Sequence, residues 1–477
     1  MLFNSVEFFI FFPIVFVCYW ILLAKKLKSQ NTFLLIASYF FYSFWDYRFL
    51  GLLLFSTLLD YFVAQKIDSS PNKSTKKTLL YASIVINLGF LGFFKYCNFF
   101  IDSFAVFLSN FGFKPHFWTL QIILPVGISF YTFHGLSYII DVYKERIKPE
   151  RSFIDYGLFV SFFPLLVAGP IERATHLLPQ IKRGRHFNYS RAMDGLRQIL
   201  WGLFKKVVVA DNCAKYANII FNPSEEFSGS TLALGALFFT FQIYCDFSGY
   251  SDIALGTARI LGFDLLKNFS FPYFSRDIAE FWRKWHISLS SWFRDYVYIP
   301  LGGSRVSKLK QIRNVFIIFI LSGFWHGANW TFIVWGFLHA IYFLPLMLLG
   351  KNRNHLTVSE PKIVPSLRGF INILFTFGLV VFAWIFFRAD NLSHAFNYIS
   401  GIFSSSFFAI PAYFPKKVFA FIAVLLLIEW WGRSDNHALE KFSLSWPKPV
   451  RILFYYCLLF MIFYFSGEEQ QFIYFQF

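Results

Sequence analysis

Residues 321–340 read LSGFWHGANWTFIVWGFLHA, and aromatic and apolar side chains surround the two histidines of this stretch. A helix needs about 20 such residues to cross the hydrocarbon core of a bilayer. His326 and His339 would then lie at membrane depth, where burying an ionisable group is unfavourable and usually serves a function. His326 is the stronger candidate, because residues 327–329 are small and could leave room for a ligand.

Each histidine also has a structural interpretation, since an intramembrane His often only completes a hydrogen bond between helices. A metal site is not expected. The two histidines are 13 positions apart, which places them on different faces of one helix, and no Cys or Glu is nearby to complete a ligand set. The sequence also lacks the motifs of a serine nucleophile elbow and of a phosphate-binding loop. We therefore expect His326 to act as a general base or acid, with Asn329 orienting a reacting group.

Membrane spans are expected along nearly the whole chain. Hydrophobic residues make up 56% of the sequence and charged residues 15%, far from the average of soluble proteins. The apolar runs predict an all-α, polytopic membrane protein with about ten to thirteen membrane helices, plus short interfacial or re-entrant helices. Since no linker or internal repeat is visible, we expect one membrane domain over residues 1–477, with a catalytic core at about 120–345 and an outward tail at 466–477.

The distribution of charge predicts which ends face the cytoplasm. No Lys or Arg precedes the first apolar run, so we expect a retained span and not a cleaved signal. Lysines at 25–28 and 66–77 fit cytoplasmic turns, which puts the amino terminus outside. Lys448 and Arg451 precede the last run and the acidic residues 468–469 follow it, so we expect the carboxyl terminus outside as well.

The formal net charge of +17 is spread over the loops between the runs. Its expected counterparts are anionic lipid headgroups and an acidic cytoplasmic ligand, and not nucleic acid. Residues 171–187 (IERATHLLPQIKRGRHF) are too polar to cross the membrane and fit its cytoplasmic face. They form either a membrane-hugging loop or a docking surface for an anionic donor or carrier.

Residues 274–303 (FSRDIAEFWRKWHISLSSWFRDYVYIPLGG) predict an amphipathic helix at the membrane interface. At helical spacing, aromatic and apolar residues form one face, while Arg283, His286 and Arg294 lie on another. Aromatic belts are common in membrane proteins, but a belt does not explain a histidine between two arginines that could hold a phosphate. We expect Arg283, Arg294 and Lys284 to bind an anionic donor and His286 to take part in the chemistry.

Two acids, Asp246 and Asp252, belong to a run that begins apolar. Acids inside a membrane must pair with a cation or face water, and we expect Arg259, Lys267 or Arg283 to supply the charge. Pairing that only shapes the fold has as much weight here as a supporting role in catalysis.

Three long blocks of this sequence resemble the signature blocks of the membrane-bound O-acyltransferases. They are YCDFSGYSDIALGTARILGFDL (244–265), FWRKWHISLSSWFRDYVYIPLGG (281–303) and SGFWHGANWTFIVWGFLHA (322–340). The similarity covers nearly the whole chain. It is strongest to the bacterial branch that O-acetylates alginate and peptidoglycan.

This resemblance implies a fold with many helices and a thin central floor that funnels reach from both faces. By the same similarity, His326 is the catalytic histidine of the family and His286 a second functional one. The family takes an acyl group from a cytoplasmic thioester, here acetyl-CoA or another acyl thioester, with no bound cofactor. A separate extracytoplasmic acetyltransferase subunit resembling SGNH hydrolases completes the transfer to polysaccharide, which implies a multi-pass protein of the bacterial cytoplasmic membrane.

The last residues, EEQQFIYFQF, carry an FxYxxF pattern at Phe472, Tyr474 and Phe477 that resembles one in this branch. The resemblance implies that Tyr474 can be an acyl relay. A phenol, with a pKa near 10, is the uncharged side-chain hydroxyl that loses its proton most easily. The alternative is that these aromatic residues only seat the segment at the outer interface.

Two other functions remain open from the sequence. A lipid or protein O-acyltransferase of the same family would use the same blocks with another acceptor. A transporter would favour inverted repeats with broken helices, and the sequence has no such symmetry.

Overall fold

The chain folds into α-helices that are interrupted by π-helical and 3₁₀ turns. The computed structural model describes residues 1–24, 26–112, 123–167, 169–356, 364–466 and 470–473. No strand occurs among these residues, which confirms the predicted all-α class. They form two compact units, residues 1–189 with 258–266 and residues 190–257 with 267–477. The single membrane domain over residues 1–477 and its catalytic core stay predictions.

The described part of the first unit contains helices of 4 to 22 residues. They are α1 (Val6–Val17), α2 (Leu27–Ser43), α3 (Arg48–Ser69), α4 (Lys73–Leu91), α5 (Cys97–Ser109), α6 (Ile128–Tyr143), α7 (Phe153–Ser161), α8 (Phe163–Leu166) and α9 (Ala174–Ile181). Polar caps start several of them: Ser5 Oγ accepts the Phe8 N–H at α1, and the Asn72 side chain accepts the Ser74 N–H at α4.

A carboxyl group is buried where α3, α4 and α6 pack together. Asp60 Oδ1 accepts hydrogen bonds from Ser83 Oγ (2.7 Å) and Asn87 Nδ2 (3.0 Å). A Cβ at Gly135 of α6 would overlap Asp60 Oδ2, so only glycine allows α6 this close to α3. These hydrogen bonds offset the loss of hydration on burial, and both donors are neutral.

The same unit buries a histidine whose role is also local. His134 of α6 is fully buried, and its Nε2 accepts the backbone N–H of Glu172 (3.0 Å). The Glu172 carboxylate in turn contacts His176 Nδ1 at 2.8 Å. This chain of hydrogen bonds holds the start of α9 against α6.

The predicted docking segment 171–187 folds around α9 and is only partly exposed. Arg185 is buried, donates to the Ile181 carbonyl (3.1 Å) and lies 4.6 Å from the centre of the Phe263 ring. Lys182 forms an ion pair with Glu150 at 3.0 Å. Two of the predicted docking cations are thus engaged within this unit.

The described part of the second unit contains helices of 7 to 32 residues. They are α10 (Tyr189–Leu203), α11 (Asp211–Phe221), α12 (Gly229–Ile260), α13 (Ile278–Lys284), α14 (Ile287–Phe293), α15 (Lys308–His326), α16 (Trp330–Leu348), α17 (Leu367–Arg388), α18 (Leu392–Ile402), α19 (Lys416–Gly432) and α20 (Lys448–Tyr464). A π-helical segment, Phe204–Ala210, joins α10 to α11. A Cβ at Gly202 would meet the Gly249 carbonyl oxygen, and one at Gly249 the Gly202 oxygen. The missing side chains let α10 and α12 touch at the backbone, which brings the π-helical segment beside α12.

Several helices are long and apolar enough to cross a membrane. In the part of the chain that the structure describes, these are the five segments Arg48–Ser69, Lys73–Ser109, Gly229–Ile260, Trp330–Leu348 and Leu367–Arg388. Other predicted spans are shorter or interrupted, as in Val6–Leu22, where α1 continues into a π-helical turn. The protein is therefore a multi-pass membrane protein, as its composition predicts.

Candidate active site

His326 lies at a sharp corner between two helices of the second unit. It is the last residue of α15, and α16 begins four positions later at Trp330. The imidazole is 3% exposed and is packed among aromatic rings, with centroids of Trp325, Trp335 and Phe387 at 4.9, 5.1 and 5.2 Å. His326 is therefore buried by close aromatic packing, and its position at membrane depth stays a prediction.

The residues after His326 shape the corner and do not leave an open space beside it. A Cβ at Gly327 would overlap the Phe332 ring, so that ring fills the position. Asn329 caps α16 by accepting the Thr331 N–H (3.1 Å), and its Nδ2 donates to the Asp390 carbonyl (2.7 Å). The Phe332 ring thus fills the space at Gly327, while the ligand space predicted over 327–329 and the supporting role of Asn329 stay predictions.

His286 lies at a break in what the sequence predicts as one amphipathic helix. That prediction is wrong: α13 ends at Lys284 and α14 begins at Ile287. The loop before α13 causes the break, because the Asn268 carbonyl accepts the Ile287 N–H (2.9 Å) and Ser270 N–H donates to the Lys284 carbonyl (3.0 Å). Backbone groups that would continue the helix are thereby paired elsewhere.

The break gives His286 a strained backbone and a buried side chain. Its φ of 42° is left-handed, a conformation that is unfavourable for a residue with a Cβ and that clusters at functional sites. The side chain is fully buried and not on an exposed polar stripe, and its ring centre lies 4.7 Å from that of Phe247. The ring centres of His286 and His326 are 6.4 Å apart, so the fold brings together two histidines that are 40 positions apart in the sequence.

His339 has the structural role that the sequence left open. It is fully buried in α16, and its Nδ1 accepts a hydrogen bond from Trp282 Nε1 of α13 (3.2 Å). Its ring also lies 4.9 Å from Trp335, the indole that contacts His326. His339 therefore joins two helices behind the corner, as intramembrane histidines often do.

Each of the three cations predicted to bind a donor has a protein partner. Arg283 donates to the carbonyl oxygens of Asn352 (2.9 Å) and His355 (3.0 Å). Arg294 pairs with Asp295 at 2.8 Å, and Lys284 pairs with Glu280 at 2.9 Å. His286 is itself fully buried, and the predicted binding of a donor by Arg283, Arg294 and Lys284 stays a prediction.

Arginines that the sequence analysis did not select line an open cavity of about 330 Å³. Arg276, Arg368 and Arg433 line it, with His355 and Trp430, and Arg276 also forms an ion pair with Glu280 at 3.1 Å. The Arg433 guanidinium stacks 4.1 Å from the centre of the Trp430 ring, which keeps its donors at the surface of the cavity. A second open cavity of about 410 Å³ includes Arg294 in its lining.

The two acids of α12 pair with lysines, but not with the predicted cations. Lys206 Nζ lies 2.7 Å from Asp246 Oδ1, and Lys205 Nζ lies 2.6 Å from Asp252 Oδ2. The expectation of Arg259, Lys267 or Arg283 as counter-ion is wrong, because the π-helical segment Phe204–Ala210 reaches α12 first. All four charged groups are largely buried, which makes each pair strongly dependent on its partner.

Sequence reasoning missed these lysines although a signal was present. Lys205 and Lys206 interrupt the apolar run WGLFKKVVVA (201–210), and a charge in such a run points to a buried partner. The same applies to Glu429 of α19, whose carboxylate accepts a hydrogen bond from Tyr244 Oη at 2.9 Å. The importance of Phe247 had no sequence signal beyond its place in the block, since it depends on the position of His286.

The tail reaches into the same aromatic core. Phe472 and Ile473 are buried, and the Ile473 N–H donates to Asp246 Oδ2 (2.6 Å). The Phe472 ring lies 4.3 Å from Tyr250 and 6.3 Å from Phe247. Tyr474 and Phe477 lie outside the described residues.

No cluster of three or more His, Cys, Asp or Glu side chains that could hold a metal ion occurs within the described ranges. The site instead combines imidazole, carboxylate, amine and backbone groups inside an aromatic shell. An unperturbed imidazole can take and return a proton near neutral pH, and the part of His326 and His286 in the chemistry stays a prediction.

Comparison with known proteins identifies the family. The family model of the membrane-bound O-acyltransferases matches residues 143–388. A peptidoglycan O-acetyltransferase of Helicobacter pylori is 34% identical, covering 100% of this chain and 98% of its own. A probable alginate O-acetylase AlgI of Azotobacter vinelandii is 40% identical over 84% of this chain and 77% of its own. A teichoic acid D-alanyltransferase of Bacillus subtilis is 28% identical over 59% and 73%. The aromatic core with its paired histidines is thus part of an O-acyltransferase, and the chain belongs to the membrane-bound O-acyltransferase family.

Proposed function

We propose that this enzyme takes an acetyl group from a cytoplasmic acyl thioester, such as acetyl-CoA, and passes it across the membrane for O-acetylation of an extracytoplasmic polysaccharide. The observation that carries the proposal is the meeting of three distant segments: His286 and His326 with ring centres 6.4 Å apart, and the buried residue Phe472 next to Phe247, which contacts His286. The names of the relatives supply the acceptor class, alginate or peptidoglycan.

Tyr474 is the proposed first acceptor. Its phenol oxygen attacks the thioester carbonyl carbon while the His326 imidazole takes the phenol proton. The bond from carbon to sulfur then breaks, and the thiolate takes the proton from the imidazolium. The products are acetylated Tyr474 and a free thiol. His286, which faces His326, assists by orienting the groups around the reacting carbonyl.

The tyrosyl ester is then passed on. A hydroxyl of the polysaccharide attacks the ester carbonyl and the phenol leaves with a proton, in a separate extracytoplasmic subunit of the SGNH-hydrolase class. A phenolate is a better leaving group than an alkoxide because its conjugate acid is stronger. This keeps the acetyl group transferable, which a serine ester would do less well.

The donor is proposed to bind through its phosphates at the cavity lined by Arg276, Arg368 and Arg433, in addition to Arg294 at the second cavity. Arginine forks suit phosphate oxygens. The charge rule places the loop between α19 and α20 in the cytoplasm, because Lys448 and Arg451 precede the last span. Arg433 belongs to that loop, so this cavity opens on the side from which a cytoplasmic thioester approaches.

The same charge rule underlies the proposed location. We place the protein in the bacterial cytoplasmic membrane with both termini outside, in contact with anionic lipid headgroups through its cytoplasmic loops. Attachment of a fluorophore to cysteines introduced at exposed positions 73 and 441 would check this. Both should react only after the membrane is opened.

The test of function is acyl transfer by purified protein. Incubation with acetyl-CoA should consume the thioester and add one acetyl group to the chain, seen by intact mass, with the adduct lost in Tyr474→Phe. Tyr464→Phe is the matched control, since Tyr464 is exposed on α20. Equal whole-cell polysaccharide acetylation by wild type and Tyr474→Phe would exclude the relay. Acetyl transfer to lipid or to another protein would favour the alternative acceptors, and absence of thioester consumption would favour a transporter.

A further inference from the structure

Two neighbouring lysines of the π-helical segment make similar ion pairs with different surroundings. Lys205 pairs with Asp252 and also donates to Ser248 Oγ (2.9 Å), all within α12 and the segment. Lys206 pairs with Asp246 but has a second carboxylate, Asp211, at 2.8 Å. Among the described residues, Lys205 has one carboxylate within ion-pair distance, whereas Lys206 has two.

The second acid is explained by the tail. Asp211 already gives Lys206 a carboxylate partner, so charge balance does not require Asp246. Asp246 uses its two oxygens differently: Oδ1 faces Lys206 and Oδ2 accepts the Ile473 N–H at 2.6 Å. Lys206 Nζ also donates to the Gln470 carbonyl at 3.0 Å. The pair therefore holds a backbone acceptor and a backbone donor three residues apart.

We propose that Lys206 and Asp246 form a clamp for the main chain of residues 470–473 and thereby position Tyr474 for acyl transfer. The inference rests on the proposed relay function of Tyr474. In this role Lys206 and Asp246 are positioning residues, since they act on the tail and not on the acyl group.

The contacts of the clamp suit this task. Charged groups form stronger hydrogen bonds to backbone N–H and C=O than neutral groups do, and both charges are buried, so water competes little. Asn218 Nδ2 adds a longer contact, 3.4 Å, to the Gln470 side chain. The clamp binds backbone groups, so it fixes the register of the tail independently of the side chains at residues 470–473.

Phe472 completes the register. Its buried ring lies against Phe247, the residue after Asp246, and against Tyr250, one helical turn beyond Asp246. Phe247 also contacts His286. The Ile473 amide is thereby held at Asp246, whose neighbour in sequence, Phe247, packs on His286.

The experiment compares two acid-to-amide variants of one helix by hydrogen–deuterium exchange. In Asp246→Asn, the amide oxygen should turn to Lys206, so that Nδ2 faces the Ile473 N–H and two donors oppose each other. Peptides containing residues 470–473 should then exchange at least about tenfold faster, since the hydrogen bond that protects the amide is lost. Asp252→Asn removes the neighbouring pair without touching the tail and should leave this exchange unchanged.

Acylation is measured on the same samples, as acetyl adduct on Tyr474 against thioester hydrolysis. Asp246→Asn should lower the adduct about tenfold or more while hydrolysis of the bound thioester to water continues. A purely structural role would lower both together. Ile473→Pro removes the N–H donor from the tail and leaves the charges of Lys206 and Asp246 in place. Ile473→Ala removes most of the same buried side chain but keeps the N–H, so it is the control. Only the proline variant should give the same split, and this pair decides the question if Asp246→Asn does not fold.

The outcomes separate the clamp from the relay. The clamp is overturned if Asp246→Asn leaves the exchange rate of residues 470–473 unchanged, or if Tyr474 is acylated normally although exchange is faster. The relay would still stand in either case, provided that the wild-type protein carries the acetyl adduct. Absence of any adduct in wild type overturns the relay, and with it the purpose of the clamp.

Discussion

Each unit of this protein buries an aspartate and a histidine, and the two sets are used in opposite ways. In the first unit, Asp60 accepts from Ser83 and Asn87, and His134 accepts a backbone N–H. In the second, Asp246 faces both an amine and the tail, and His326 faces His286. Asp60 and His134 accept hydrogen bonds from uncharged groups of the same unit. Asp246 and His326 contact segments that are far away in the sequence.

The difference shows that burial of an ionisable group does not by itself mark a catalytic residue. A group whose partners are nearby and neutral stabilises a helix packing. A group that connects a distant segment of the chain, a charge and a second titratable side chain has contacts that a fold alone does not need. The predictions below test whether this distinction holds.

The largest effect is expected for His326, and His134 of the first unit is the matched control. His326→Gln should lower acyl transfer by about 10²–10⁴-fold, because the proton acceptor is lost. His134→Gln keeps an oxygen that can accept the Glu172 N–H, so activity per folded molecule should stay near wild type. Thioester consumption by purified protein, normalised to the monodisperse fraction, gives both numbers. If both variants lost the same share of acyl-transfer activity, the contrast between a catalytic and a structural histidine would be wrong.

A stability effect is expected from the helix packing around Asp60. Gly135→Ala places a Cβ on the Asp60 carboxylate and should destabilise the protein by ~1–3 kcal/mol through overpacking. Gly89→Ala in α4 is the control, since nothing lies within 4 Å of its Cβ position and alanine favours the helix. Thermal unfolding in detergent should show a lower Tm for the first variant only. An unchanged Tm for Gly135→Ala would mean that α3 and α6 are less closely packed.

A smaller effect is expected at the cationic cavity of the second unit. Arg368→Ala should raise the KM for acetyl-CoA about fivefold with little change in kcat, since an exposed cation contributes modestly to phosphate binding and not to the chemical step. Arg305→Ala removes another exposed arginine outside the cavity lining and should leave KM unchanged. The effect of Arg368→Ala should shrink at high salt because the charge is screened. If Arg368→Ala lowered kcat and left KM unchanged, the donor would not bind at this cavity.

The smallest effect is expected for Asp60→Asn. The amide oxygen can still accept from Ser83 and Asn87, so transfer should change by less than about twofold. Initial rates of acetyl transfer by wild type and variant at equal protein measure this. A loss of tenfold or more would show that the Asp60 charge takes part in the reaction and would break the comparison.

Much of the fold class could be predicted from the sequence. Apolar runs and sparse charge indicate a helical membrane protein, because only helices satisfy their own backbone hydrogen bonds in hydrocarbon. The positions of the helix breaks were less predictable. His286 was assigned to a continuous helix because its neighbours have helical periodicity, but the hydrogen bonds that break the helix come from Asn268 and Ser270, which periodicity does not register.

The site was predicted in part for a similar reason. His326 and His286 were singled out as rare ionisable residues among aromatic ones, and the acids of α12 were expected to have cationic partners. The predicted counter-ions, Arg259, Lys267 or Arg283, are wrong, because the partner of a buried acid depends on which segment packs against it. Lys205 and Lys206 lie about 40 to 50 positions before those acids, and a π-helical segment turns them toward α12.

The sequence alone determined that this is a helical membrane protein, which family it resembles and which histidines are candidates, because composition and local motifs are properties of neighbouring residues. Only the tertiary structure decided that His286 and His326 meet, that Arg283, Arg294 and Lys284 have other partners, and that the tail binds to Asp246. Those outcomes depend on contacts between segments far apart in the chain, where close packing at Gly202 and Gly249 sets which side chains can reach one another.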